Sequence, residues 1–205
     1  KRIEAGRLSN HLHENFHVGD TLQAKMPAGS FHLPSVINNI PNQILLLSAG
    51  SGITPMLSML RTMVDNNISN DIVFFHSARS ENDLIAANEI TALAKKHGNC
   101  QVIYTLTQSV KPEWADYQGH ITSPMFANIP HISQREIYAC GPEGFREAAK
   151  EILFSLGLPA QQYHFESFGM RRVKKAVKNK KLIIDFNSWN KSHKGNNHET
   201  LLDQG

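Results

Sequence analysis

The sequence predicts an α/β domain on a parallel sheet, preceded by a short region of paired strands. Three observations carry this. From residue 43 onward, apolar runs of strand length alternate with stretches of helical periodicity. Two of those runs end in glycine-containing loops that lead into a helical pattern. Before residue 43, period-two alternation and turn signals take over.

Taken in order, residues 1–33 read as paired strands. Leu22-Gln23-Ala24-Lys25-Met26 alternates, Val18-Gly19-Asp20 is a turn signal, and Pro27-Ala28-Gly29-Ser30-Phe31 is a second turn. Pro34, Asn38, Asn39, Pro41 and Asn42 mark a linker. Strands are expected at 44–48, 72–76, 102–107 and 136–140, and helices at 55–65, 82–97 and 142–156. In the first helix Met56, Leu57, Leu60, Met63 and Val64 form one apolar stripe. Strands joined by helices of this length imply right-handed crossovers and parallel pairing. Residues 163–168 read as a fifth strand and 169–180 as a basic linker. Lys181-Leu182-Ile183-Ile184-Asp185-Phe186 then starts a new strand.

Composition narrows the function classes. With 205 residues the chain has room for one or two domains. Its 40% hydrophobic and 19% charged residues are ordinary for a globular protein. No apolar run approaches the ~20 residues that a membrane-spanning helix needs. No secretory signal is visible, and Lys1 falls within a strand pattern, so a piece of a longer polypeptide is expected. Cys100 and Cys140 are too few for a disulfide framework and lack metal-site spacing, which suits a reducing cytoplasm. The net charge of +3 is local in origin. Seven basic residues lie between Arg171 and Lys181; without them, 14 basic residues face 18 acidic ones. That argues against a nucleic-acid-binding face. The basic segment reads either as a solvated linker or as a docking strip for an acidic partner.

Ser48-Ala49-Gly50-Ser51-Gly52-Ile53-Thr54-Pro55 is the sharpest feature. Gly50 and Gly52 let backbone approach a ligand closely, and Pro55 suits the start of a helix. Free amides and the helix dipole then favour an anion, which reads as a pyrophosphate site. Pro55 replaces the third glycine of the usual dinucleotide fingerprint, and no Gly-Lys-Thr follows. Tyr138-Ala139-Cys140-Gly141-Pro142 is a second strand end before a helix, expected on the same carboxyl edge. His11, His13 and His17 lack a carboxylate cluster and are not read as a metal site.

Together the two loops resemble the ferredoxin–NADP reductase superfamily. Gly50-Ser51-Gly52-Ile53-Thr54-Pro55 matches its G-x-G-x-x-P pyrophosphate loop, and Cys140-Gly141-Pro142 its C-G-P segment beside the nicotinamide. Glu166-Ser167-Phe168 resembles the closing E-x-F segment, near flavin and nicotinamide. Gly6-Arg7-Leu8-Ser9 resembles the G-x-x-S that holds flavin phosphate. Residues 26–31 resemble the segment that ends the FAD barrel, with Met26 in place of its first glycine. The resemblance implies a parallel-sheet NAD(P)-binding domain over 42–168, preceded over 1–41 by the end of an antiparallel, FAD-binding β-barrel. Residues 181–205 resemble the opening of a plant-type [2Fe–2S] ferredoxin domain whose cluster cysteines are absent from this chain.

The implied chemistry is hydride transfer from NAD(P)H to FAD, with electrons passed on singly to an iron–sulfur centre or a partner protein. Cys140, Glu166 and Thr54 would line the reacting end. Gly6, Leu8 and Ser9 would hold flavin phosphate, Phe168 would lie by the flavin, and residues 50–55 with Gly141 and Pro142 would hold the nucleotide. Ser77 and Arg79 follow the second strand, where a guanidinium suits a ribose 2′-phosphate; this leans towards NADPH unless Glu81 or Asp83 folds back to the ribose. Two rivals remain: the reductase half of a flavohaemoglobin-type NO dioxygenase, after which nothing should follow Phe168, and a non-catalytic flavin- or nucleotide-sensing module.

Overall fold

The computed structural model describes residues 6–26, 28–108 and 115–168, and the backbone of 181–186 and 191–196. The chain divides into two compact units, 1–168 and 169–205.

The first unit is built on one parallel sheet. Its strands are β1 (Gln43–Ala49), β2 (Asp71–Ala78), β3 (Cys100–Leu106), β4 (Tyr117–Gln118), β5 (Glu136–Cys140) and β6 (Tyr163–Glu166). Their order is β4-β3-β2-β1-β5-β6, and every pairing is parallel. The helices are α1 (Arg7–Asn15), α2 (Ile53–Asp65), α3 (Ala87–His97), α4 (Ser123–Ala127) and α5 (Glu143–Ser155).

Both faces of the central strands are covered, so β1 and β2 are buried at every position but the first, and their middles are unbroken apolar runs rather than alternating ones. Alternation survives as a choice of face. Ile44 and Leu46 join the core formed with Met56 and Leu60 of α2 and Ile90 of α3. Leu45 and Leu47 join the core formed with Phe126 of α4 and Ala149 and Leu153 of α5. The stripe expected on α2 is the stripe that is buried.

The amino edge of the sheet is held by Arg135, which is almost fully buried. Its guanidinium pairs with the Asp71 carboxylate at 2.6 Å and donates to the carbonyls of Pro130, Ile44 and Asp71. One side chain thus ties the starts of β1 and β2 to the loop before β5.

The structure departs from the sequence expectations in several places. Residues 7–15 form α1, and the described residues of 6–33 contain no strand. A helix satisfies its own backbone hydrogen bonds, whereas the alternation at 22–26 becomes a strand only beside a partner strand. The helix expected at 82–97 starts at Ala87: Glu81–Asp83 is a 3₁₀ turn, and Ala86 is left-handed at φ 56°. Ala86 therefore caps the helix rather than lying inside it. The first long helix starts at Ile53, so Pro55 is its third residue, still within the turn that lacks intrahelical acceptors. β4 and α4 were not anticipated.

In the second unit, β7 (Lys181–Phe186) pairs antiparallel with β8 (Lys191–Asn196). Residues 169–180 and 197–205 lie outside the described residues. Among the described residues no helix is long and apolar enough to cross a membrane.

Candidate nucleotide site

Strand register brings the two motif loops together. Ser48 lies opposite both His76 and Cys140, and Ala49 lies opposite Ser77. Cys140 in turn lies opposite Glu166. The loops after β1, β2, β5 and β6 therefore share one carboxyl edge, where open α/β sheets bind their ligands.

The Gly50–Gly52 segment is a 3₁₀ turn leading into α2. Gly50 is left-handed at φ 53°, and a Cβ there would meet open space. Gly52 is different. A Cβ there would come within 2.1 Å of the Cys140 carbonyl oxygen and 2.8 Å of the Gly141 nitrogen. The sequence expects this glycine to let backbone approach a phosphate; the structure adds a second demand for it, close approach to the neighbouring loop. The Ile53 amide turns back onto the carbonyls of Gly50 and Ser51, so it is already committed within the turn. Thr54 Oγ1 donates to the Ser51 carbonyl at 3.1 Å and braces the same turn.

A cavity of about 550 Å³ opens beside these loops. Gly50, Ser77, Arg79, Asp83, Pro142 and Phe145 line it. Arg79 is not left to itself: its guanidinium lies 3.6 Å from the Asp83 carboxylate, which also accepts from Ser80 Oγ at 3.0 Å. Thr107, His120 and Phe145 were not singled out in the sequence. They reach the cavity from the loop after β3, the loop after β4 and α5, and no motif marks them.

Cys140 is 0% exposed and packs in the core under α2. Burial, reinforced by the Glu166 carboxylate and opposed by Arg146, pushes its thiol up to about 11. The sulfur is a neutral thiol at physiological pH, unsuited to nucleophilic attack. Glu166 lies half-buried beside it, while Phe168 is 56% exposed. Of the remaining expected residues, Gly6 caps α1, Leu8 is exposed, and the Ser9 hydroxyl donates to the Gly6 carbonyl at 3.3 Å.

Residues 46–151 match the model of the oxidoreductase NAD-binding domain. The chain belongs to that family. It is an oxidoreductase NAD-binding domain of ferredoxin-reductase type. It is 36% identical over 173 residues to the glycine betaine monooxygenase reductase subunit of Chromohalobacter salexigens, covering 82% of this chain and 46% of the relative. It is 34% identical over 170 residues to the flavohemoprotein of Pseudomonas putida, covering 82% and 42%. The chain thus spans about half the length of the curated relatives it matches. Among solved structures, the flavohem-like FAD/NAD-binding domain of nitric oxide dioxygenase from Vibrio cholerae superposes with a TM-score of 0.71 at 28% identity, covering 80% of this chain and 65% of that one.

Proposed function

We propose that this oxidoreductase domain accepts NAD(P)H in the cavity between the Gly50 loop and α5 and serves hydride transfer to a flavin, FAD. The observation that carries the proposal is the shared register of Ser48, Cys140 and Glu166, which puts the two motif loops and the β6 end on one edge.

The residues present fit the nucleotide. Gly50 leaves open space above the turn, and the amides that open the turn face a growing helix dipole, which suits a pyrophosphate. Ser77, Arg79 and Asp83 offer a hydroxyl, a cation and a carboxylate to a ribose. When bound, the nicotinamide and the flavin ring supply the hydride chemistry. The chain's own work is placement. The Gly50–Thr54 turn anchors the phosphates, the Cys140–Pro142 turn supports the ring, and Glu166 and Phe168 close the edge. Cys140, neutral and buried, supports from beneath and forms no covalent bond.

For the flavin, Gly6, Leu8 and Ser9 at the start of α1 are the proposed phosphate contacts. The 1–41, 42–168 and 181–205 division remains our proposal for how the parts divide the work. A [2Fe–2S] cluster does not fit the residues present. The chain has two cysteines, Cys100 at the start of β3 and Cys140 at the end of β5, on opposite edges of the sheet. Cluster ligands would have to come from elsewhere in a longer protein, and a cytoplasmic, multicomponent oxygenase reductase is the setting we propose. Likeness to the betaine monooxygenase reductase subunit supports it, as does the β7–β8 pair that follows the nucleotide domain.

A second reading keeps the same chemistry and gives the electrons to a haem. Likeness to flavohemoproteins favours it. The experiment that tests the chemistry shared by both readings mixes the flavin-loaded full-length protein with NADH or NADPH and follows flavin absorbance. Rapid bleaching supports the reductase reading. Nucleotide binding without bleaching replaces it with a sensing module.

A further inference from the structure

Arg146 breaks two local rules. It is a cation in the first turns of α5, where the helix dipole disfavours positive charge. It is also 7% exposed, and among the described residues no carboxylate is ion-paired with it. A charge placed against both preferences asks for a compensating role.

Its contacts show where that role lies. Nε donates to the Gly141 carbonyl at 3.1 Å, within the Cys140–Pro142 turn. The guanidinium lies over the Phe165 ring, 5.2 Å from its centre, a cation–π contact with β6. Its own carbonyl accepts from the Tyr163 hydroxyl at 2.9 Å, again from β6. Gly144, Phe145 and Ala148 of the same helix line the nucleotide cavity. Arg146 is thus the tie between three things: the turn proposed to support the nicotinamide, the strand that carries Glu166, and the helix that walls the cavity.

We propose that Arg146 is a positioning residue for hydride transfer, holding the Cys140–Pro142 turn at a set distance from the β6 end through the Gly141 carbonyl and the Phe165 ring. This rests on the reductase reading above. The guanidinium does not touch the nucleotide in this account. It sets the depth at which the ring is presented, where small misplacements cost rate far more than binding.

The test uses the flavin-loaded full-length protein with saturating nucleotide in stopped-flow. Arg146→Met keeps the apolar stem and loses donor and charge. The limiting rate of flavin reduction should fall about ten-fold or more while nucleotide Kd moves less than about three-fold. Arg146→Lys restores a donor and a cation and should recover most of the rate. Three results overturn the proposal: a wild-type rate in Arg146→Met, a Kd that weakens in step with the rate, or a lysine variant no faster than the methionine variant. If Arg146→Met does not fold, Phe165→Leu decides, since it removes the ring under the guanidinium while leaving every residue of α5 in place; an unchanged rate there overturns the proposal equally. Failure of the reductase reading is separate, because the wild type itself would then not bleach.

Discussion

Gly52 is packed against the carbonyl of Cys140, so closely that no side chain fits between them. The two motif loops therefore form one joined surface, and each is the other's support.

That contact separates the two glycines of the turn experimentally. Gly52→Ala forces Cys140 and Gly141 backbone to move and should cost nucleotide binding and stability together. Gly50→Ala meets open space and only the strain of its left-handed backbone, roughly 1–2 kcal/mol. Thermal unfolding and nucleotide titration of both variants check this. Equal stability losses in the two would contradict the packing contact.

Cys140→Ser tests the supporting role of the thiol. A hydroxyl in this buried place is smaller and more polar than the thiol it replaces, so the Cys140–Pro142 turn should shift slightly. Flavin reduction should slow more than nucleotide binding weakens. In the folded wild type, alkylating agents should modify the thiol slowly at neutral pH, as its burial and raised pKa require.

The pairing of Arg79 with Asp83 changes the expectation for nucleotide choice. From sequence, Arg79 leaned towards NADPH. With a carboxylate 3.6 Å from the guanidinium and lining the same cavity, a 2′-phosphate meets repulsion as well as attraction, and a 2′-hydroxyl finds an acceptor. We expect higher kcat/KM with NADH, and a shift of about ten-fold or more towards NADPH in Asp83→Ser. No change in the ratio would remove Asp83 from the specificity argument. Arg79→Ala, made in the Asp83→Ser background, should abolish the gain.

His76 gives a pH dependence of stability. Burial lowers its pKa to about 4, and its Nδ1 shares a 2.9 Å hydrogen bond with Ser48 Oγ. Its folded value lies below the unfolded one near 6.5, so between the two the unfolded chain binds the extra proton. This contribution is present above pH ~6.5 and is lost as pH falls towards 4, by about 2 kcal/mol between pH 7 and 5. Urea unfolding at both values should show the loss in the wild type and not in His76→Asn.

Much of this arrangement was legible because its signals are local. β1 and β2 are buried on both faces, so they read as unbroken apolar runs, and Glu136–Cys140 matched to the residue. The two loops were found because glycine and proline mark turns wherever they stand. Thr107, His120 and Phe145 were missed because ordinary residue types become cavity walls only through sheet order. β4 is two residues long and α4 five, too short for periodicity to register. The helix at α1 went unread because Val18–Asp20 and the alternation after it drew the reading towards strands.

Arg135 reaches back 91 positions to the carbonyl of Ile44. During synthesis the central strand is made long before one of its two neighbours exists. Until β5 leaves the ribosome, β1 keeps an open, apolar edge, the kind that recruits other chains. Truncation anywhere before Arg135 therefore yields a sticky half-sheet, and the arginine that arrives just ahead of β5 brings the latch that closes it.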